Sequence, residues 1–152
     1  MTDDEKRVAD LIHTAFRGVR LGNGVGLRQG RGLDDCADAA TLAEYRSKDE
    51  KDDWEKISWQ DLNHYGDSLS FFDGAGMRFH LPAFVLAELA GTLTAELLFH
   101  LTGYFDRFDL LSQSQRHAMR EYLQLRLTRA WDENNDFVYP MIEKALAEYW
   151  SH

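Results

Sequence analysis

The sequence predicts an all-α domain, or a mainly α domain with a minor β element, folded as one compact multi-helix unit over residues 1–152. Three observations carry that prediction. Apolar residues recur at helical spacing in several segments, most of them opened by a Ser, Thr or Asp able to cap a helix. No period-2 alternation is long enough to require a sheet, although short strands near residues 54–57 or 70–72 are compatible with the pattern. A chain of 152 residues with 44% hydrophobic and 12% aromatic side chains supplies one core, and disorder is not its expected state.

The elements follow in order. Thr2 with Glu5 is a capping-box pattern, and Val8, Leu11, Ile12, Ala15, Phe16 and Val19 then share a helix face that Gly18 brings to a stop. Residues 22–32 are glycine-rich and read as a flexible loop. Asp34 or Asp35 is placed to cap a short helix through about Arg46, with Cys36, Leu42 and Tyr45 available for burial. The run 47–53 contains no apolar residue and is expected to be solvated. Ser58 with Asp61 opens a helix through Leu62 and Tyr65 to Gly66, and a second helical turn begins near Asp73.

Pro82 disfavours helical geometry at Leu81 but suits a first helical position, so a new, buried helix is expected to start there and reach Ala90. Leu93 to Leu101 is read as another helix. Ser112 and Gln115 open a long one carrying Met119, Tyr122, Leu123, Leu127, Ala130 and Trp131. After the polar turn 132–136, a last helix holds Pro140 in its first turn and Ile142, Leu146, Tyr149 and Trp150 along its length. No repeat and no interdomain linker is visible.

Charge narrows the function classes. The 26 acidic and 17 basic residues give a formal charge of −9, which disfavours nucleic acid and anionic membrane surfaces as partners and permits a basic protein. One cysteine, Cys36, excludes an internal disulfide and is read as a half-buried structural thiol. A reducing, cytoplasmic setting is the simple expectation. The first seven residues are too acidic for a signal or transit peptide. The apolar stretch from Leu81 to Phe105 carries Glu88, Glu96 and His100, and is read as core rather than a membrane span.

Chemistry-bearing residues are sparse. The glycine-rich segment lacks the ending and spacing of a phosphate-binding loop, although Arg28 and Arg31 could meet an anion. None of the six histidines forms a His-x-x-His or His-x-x-x-His pair, and no metal or cofactor is expected. Glu88 lies in an apolar helix, so it needs a narrow exposed strip or a cationic partner, with Arg78 and His80 the sequence neighbours at hand. Arg78, His80, Glu88, Glu96 and His100 form the candidate polar cluster. Between Asp34 and Asp61, ten acidic residues stand against four basic ones. Asp49, Glu50, Asp52 and Asp53, flanked by Trp54 and Trp59, form the candidate protein-docking segment.

Trp54, Leu62, the run Asp67-Ser68-Leu69-Ser70-Phe71-Phe72 and the run Met77-Arg78-Phe79-His80-Leu81-Pro82-Ala83-Phe84 together resemble a family of small bacterial proteins classed as a domain of unknown function. The segment Ser112 to Leu123 is similar to a later part of the same family. The resemblance covers roughly half the chain and implies a bacterial origin and a core built around Pro82. It transfers no activity to any residue. The expected role is that of a non-catalytic protein-binding or accessory factor, with an immunity-type role among the candidates. The alternative is a metal-dependent hydrolase with a site near His80, Glu88, Glu96 and His100. Self-association through the aromatic C-terminal helix is a further expectation.

Overall fold

The computed structural model describes residues 1–152 as eight α-helices linked by short helical turns, with no strand. Helix α1 spans Asp3–Ala15, α2 Leu27–Asp34, α3 Ala39–Ser47, α4 Trp59–His64, α5 Gly74–Leu89, α6 Leu97–Leu101, α7 Gln113–Asp132 and α8 Val138–Ala145. Single 3-10 turns cover Trp54–Lys56, Gly66–Ser70 and Phe105–Phe108, and a π turn extends α8 over Leu146–Trp150. No helix is long and apolar enough to cross a membrane.

Capping sets most of the helix starts. Thr2 and Ser112 form capping boxes with Glu5 and Gln115, while Ser58 and Asp73 accept the backbone N–H groups of Asp61 and Gly76. Asp38, not Asp34 or Asp35, caps α3 through the N–H of Thr41. The expected helix therefore starts later, at Ala39, and Cys36 lies in the turn between α2 and α3 at a left-handed φ of 55°. Cys36 is exposed rather than half-buried.

Helix α5 is the centre of the molecule and runs straight through Pro82. The expected break there does not occur. Proline cannot donate to the carbonyl of Arg78, a loss worth about 3 kcal/mol in a helix interior. Met77, Phe79, Leu81, Phe84 and Val85 are all fully buried around it. Each such side chain contributes about 1.5–3 kcal/mol on leaving water, so their sum outweighs the local penalty. Pro82 thus lies inside one helix and makes no corner.

Around α5 the chain forms a single hydrophobic cluster. Helix α1 packs on α5 and α7, and α7 packs on α8. The basic face of α7 ties these helices together: Arg116 donates to the hydroxyl and carbonyl of Tyr149, Arg120 to the carbonyl of Trp150. Trp150 is fully buried, with its indole N–H on the Leu101 carbonyl, and Tyr149 stacks on Phe105 at 4.3 Å. The aromatic end of the C-terminal helix is therefore committed to its own core.

On the other side, α2 packs on α3 and on the 66–70 turn. Much of the expected glycine loop is helix α2. Its glycines serve close approach: a Cβ at Gly26 would collide with the Asp49 carboxylate, and one at Gly30 would lie 2.6 Å from the Ser68 Cβ. The loop before α2 is pinned by Arg46, whose guanidinium donates to the carbonyls of Gly22 and Gly24.

Candidate functional site

The acidic segment is mostly committed to shaping its own backbone. Asp49 is 6% exposed and accepts the N–H groups of Arg28 (2.7 Å) and Gln29 (3.2 Å) at the start of α2. The expectation of a wholly solvated run fails there. Burial pushes the Asp49 carboxyl up, against the pull of those N–H groups. Glu50 accepts from the N–H groups of Asp52 and Asp53, and those bonds hold its carboxyl below the ordinary range. Asp53 caps the 54–56 turn. Trp54 is buried, its indole N–H 2.8 Å from the Phe16 carbonyl. Only Asp52 and Trp59 of the expected docking residues are exposed.

Trp59 borders a groove of about 260 Å³ between α4 and α5. Its floor is one stripe of α5, Ala83, Leu86 and Ala87, continued by the C-cap Ala90, at the i, i+3, i+4 and i+7 positions of a helix face. Ile57, Trp59 and Leu62 form one wall. His13 and Glu55, 2.7 Å apart, supply its polar lining. Trp59 remains 47% exposed, although Trp is a side chain with much to gain from burial.

A second, polar cavity of about 290 Å³ lies behind Ile57, between α2, the 48–57 segment, α4 and α5. Arg28, Lys48, Asp49, Glu50, Lys56, Asp61 and His80 line it. His80 is fully buried, stacked parallel on Phe72 at 4.3 Å. Its Nδ1 lies 2.7 Å from the Gly76 carbonyl, which can only accept, so the proton sits on Nδ1 and Nε2 carries a lone pair. Nε2 is buried and has no hydrogen-bond partner. Burial lowers the His80 pKa to about 4, so the ring is neutral at pH 7. Arg28 donates to the Lys48 carbonyl, keeps 3.9 Å from Asp49 and 3.8 Å from Asp61, and sits over the Tyr65 ring.

The remaining expected polar residues do not join His80. Glu88 faces α7, where Arg129 (2.7 Å), Arg126 (3.0 Å) and the Tyr122 hydroxyl (2.9 Å) surround it. Its partners are thus not Arg78 or His80. Burial and the Glu88 charge push the Tyr122 hydroxyl up. His100 is held at a pKa of about 4 by burial and by Arg107, whose guanidinium lies 3.1 Å from its Nδ1 and also donates to the Leu69 carbonyl. Glu96 is exposed at the start of α6, and the Arg78 Nε is buried without a partner. No three His, Cys, Asp or Glu side chains come together in a geometry that could hold a metal ion.

Sequence reasoning connected none of the other cavity residues to His80: Asp49 and Glu50 stood in the docking segment, and Arg28, Lys48, Lys56 and Asp61 in no candidate site. Arg28 carried a signal of its own, as a cation in a glycine-rich segment able to meet an anion. The segment from Pro82 to Ala90 was legible as an apolar helix, but neither its open stripe nor the wall opposite was.

The chain belongs to the family of unknown function DUF6714, whose model matches residues 4–152. The likeness seen in the Trp54–Phe84 and Ser112–Leu123 segments therefore extends over nearly the whole chain. No curated protein and no solved structure matches it.

Proposed function

We propose that this domain is a non-catalytic binding module that takes a short amphipathic helix of a basic partner protein into the groove beside Trp59. The observation that carries this reading is the half-exposed tryptophan over an apolar groove with a narrow alanine floor. Tryptophans in such positions dominate binding energies at interfaces, and a floor of small residues lets a partner helix approach closely. The formal charge of −9 favours a basic partner through steering rather than through a localised acidic patch. This revises the acidic-segment reading, because Asp49, Glu50 and Asp53 are occupied as backbone caps.

Affinity capture from source-cell lysate at low and high salt tests it, with three variants run beside the parent. Trp59→Ala and Ala90→Arg alter exposed groove positions, while Phe137→Ser alters a distant side chain that is 80% exposed. A basic protein retained at low salt by the parent and by Phe137→Ser, and lost with both groove variants, is the expected result. Retention that ignores the groove variants, or no specific retention at either salt, contradicts it.

A further inference from the structure

The polar cavity has unused binding capacity that neither comes from the groove nor depends on it. Its two buried polar side chains, His80 and Asp49, are both acceptors. His80 Nε2 accepts from nothing in the protein. Asp49 takes one backbone N–H on each oxygen, which leaves a lone pair free on each. The single cation within ion-pair reach of Asp49 is Arg28, and it stays at 3.9 Å. A buried carboxylate beside an unused acceptor favours a positive, donor-rich group. The rest of the lining is different. Arg28, Lys48 and Lys56 bring three cations to the same cavity, and Lys56 forms no ion pair.

We propose that this cavity binds a small zwitterion of the amino acid class, its ammonium donating to His80 Nε2 and Asp49 and its carboxylate meeting Arg28 and Lys56. The volume of about 290 Å³ lies at the low end of small-molecule sites, which run from about 300 to 1,000 Å³. The lining matches such a ligand in net charge: three cations face Asp49, Glu50 and Asp61, and the imidazole is neutral. A water donating to Nε2 is the simplest competitor, since polar cavities of this size hold water.

The test is an NMR titration of the full chain, with ¹⁵N-labelled imidazoles, against the protein amino acids one at a time. Each is paired with its des-amino carboxylate and its decarboxylated amine, and inorganic phosphate serves as the anion control. At least one amino acid is expected to move the His80 Nε2 resonance and the amides of Arg28, Asp49 and Lys56, with Kd on the order of millimolar or tighter. Both truncated analogues should bind at least about tenfold more weakly, and Arg28→Met and Lys56→Met should each cost about tenfold. His80→Phe should abolish binding; should that variant not fold, the Nε2 resonance and the two rim variants carry the test. The proposal is overturned if no amino acid moves Nε2. Equal binding of phosphate or a des-amino acid, or unchanged binding in the rim variants, also overturns it.

Discussion

Two polar side chains of helix α5, Glu88 and His80, are treated in opposite ways by their neighbours. Glu88 meets α7, which surrounds it with two guanidinium groups and a phenol. His80 lines a cavity beside the 48–57 segment and α2, and its Nε2 is left without a partner. On the α7 side the polar chemistry is closed on itself, and Arg129 extends it to within 3.9 Å of Glu5 on α1. On the other side lie a polar cavity and an apolar groove, separated by Ile57, which lines both. A paired buried charge holds helices together; an unpaired acceptor in a cavity is what a binding site requires. The proposed binding sites all lie on the side of α5 away from α7, while the α7 side is closed by its own ion pairs.

The largest effect that can break this contrast is pH dependence. His80 has a folded pKa of about 4 against an ordinary value of 6.5, so the unfolded chain binds more protons between those values. Its stability contribution is complete above about pH 6.5 and is lost as pH falls through about 4, up to about 3 kcal/mol. His100 acts in the same direction, and Asp49, with its raised carboxyl, opposes them at the acid end. Urea unfolding between pH 4 and 7 should show a steep fall in the parent and a shallower one in His80→Phe. Matching slopes would mean the imidazole is already charged or solvated in the fold.

Next in size is Glu88→Gln, expected to destabilise by about 2–3 kcal/mol because it strands Arg126 and Arg129, which are partly exposed and so cost less than fully buried charges. A midpoint unchanged in denaturant would remove the structural role given to that side. Asp49→Ala should cost about 1–2 kcal/mol through the lost cap on α2. Hydrogen exchange localises that loss: faster exchange at Arg28 and Gln29 is expected, and uniform acceleration would count against capping. Smallest is Trp59→Ala, at an exposed position, which should shift stability by less than about 0.5 kcal/mol. A larger thermal shift would show that Trp59 serves the core instead of the groove.

Local chemistry in the sequence was legible where one residue acts on its own backbone. Thr2, Ser58, Asp73 and Ser112 each cap the helix their patterns announce. At Pro82 the local rule lost, because a preference against helix at Leu81 cannot weigh the burial of the whole segment. Glu88 illustrates the same limit for charge. Its need for a cation was readable, but the cations come from α7, some forty residues away, where the excess of arginines was the only trace. The acidic run misled for a related reason: Asp49 looks solvated in sequence and is buried because Gly26 leaves room for its carboxylate. The two concavities needed the fold, since each is walled by segments that composition does not link.

The most direct test of a functional face on this side of α5 is hydrogen exchange of the protein, free and with the partner retained at low salt. The prediction is slower exchange confined to residues 54–62 and 83–92, with the α7–α8 turn around Trp131 and Phe137 unchanged. Protection centred on residues 130–140, or a protein that retains no partner to measure, would contradict it.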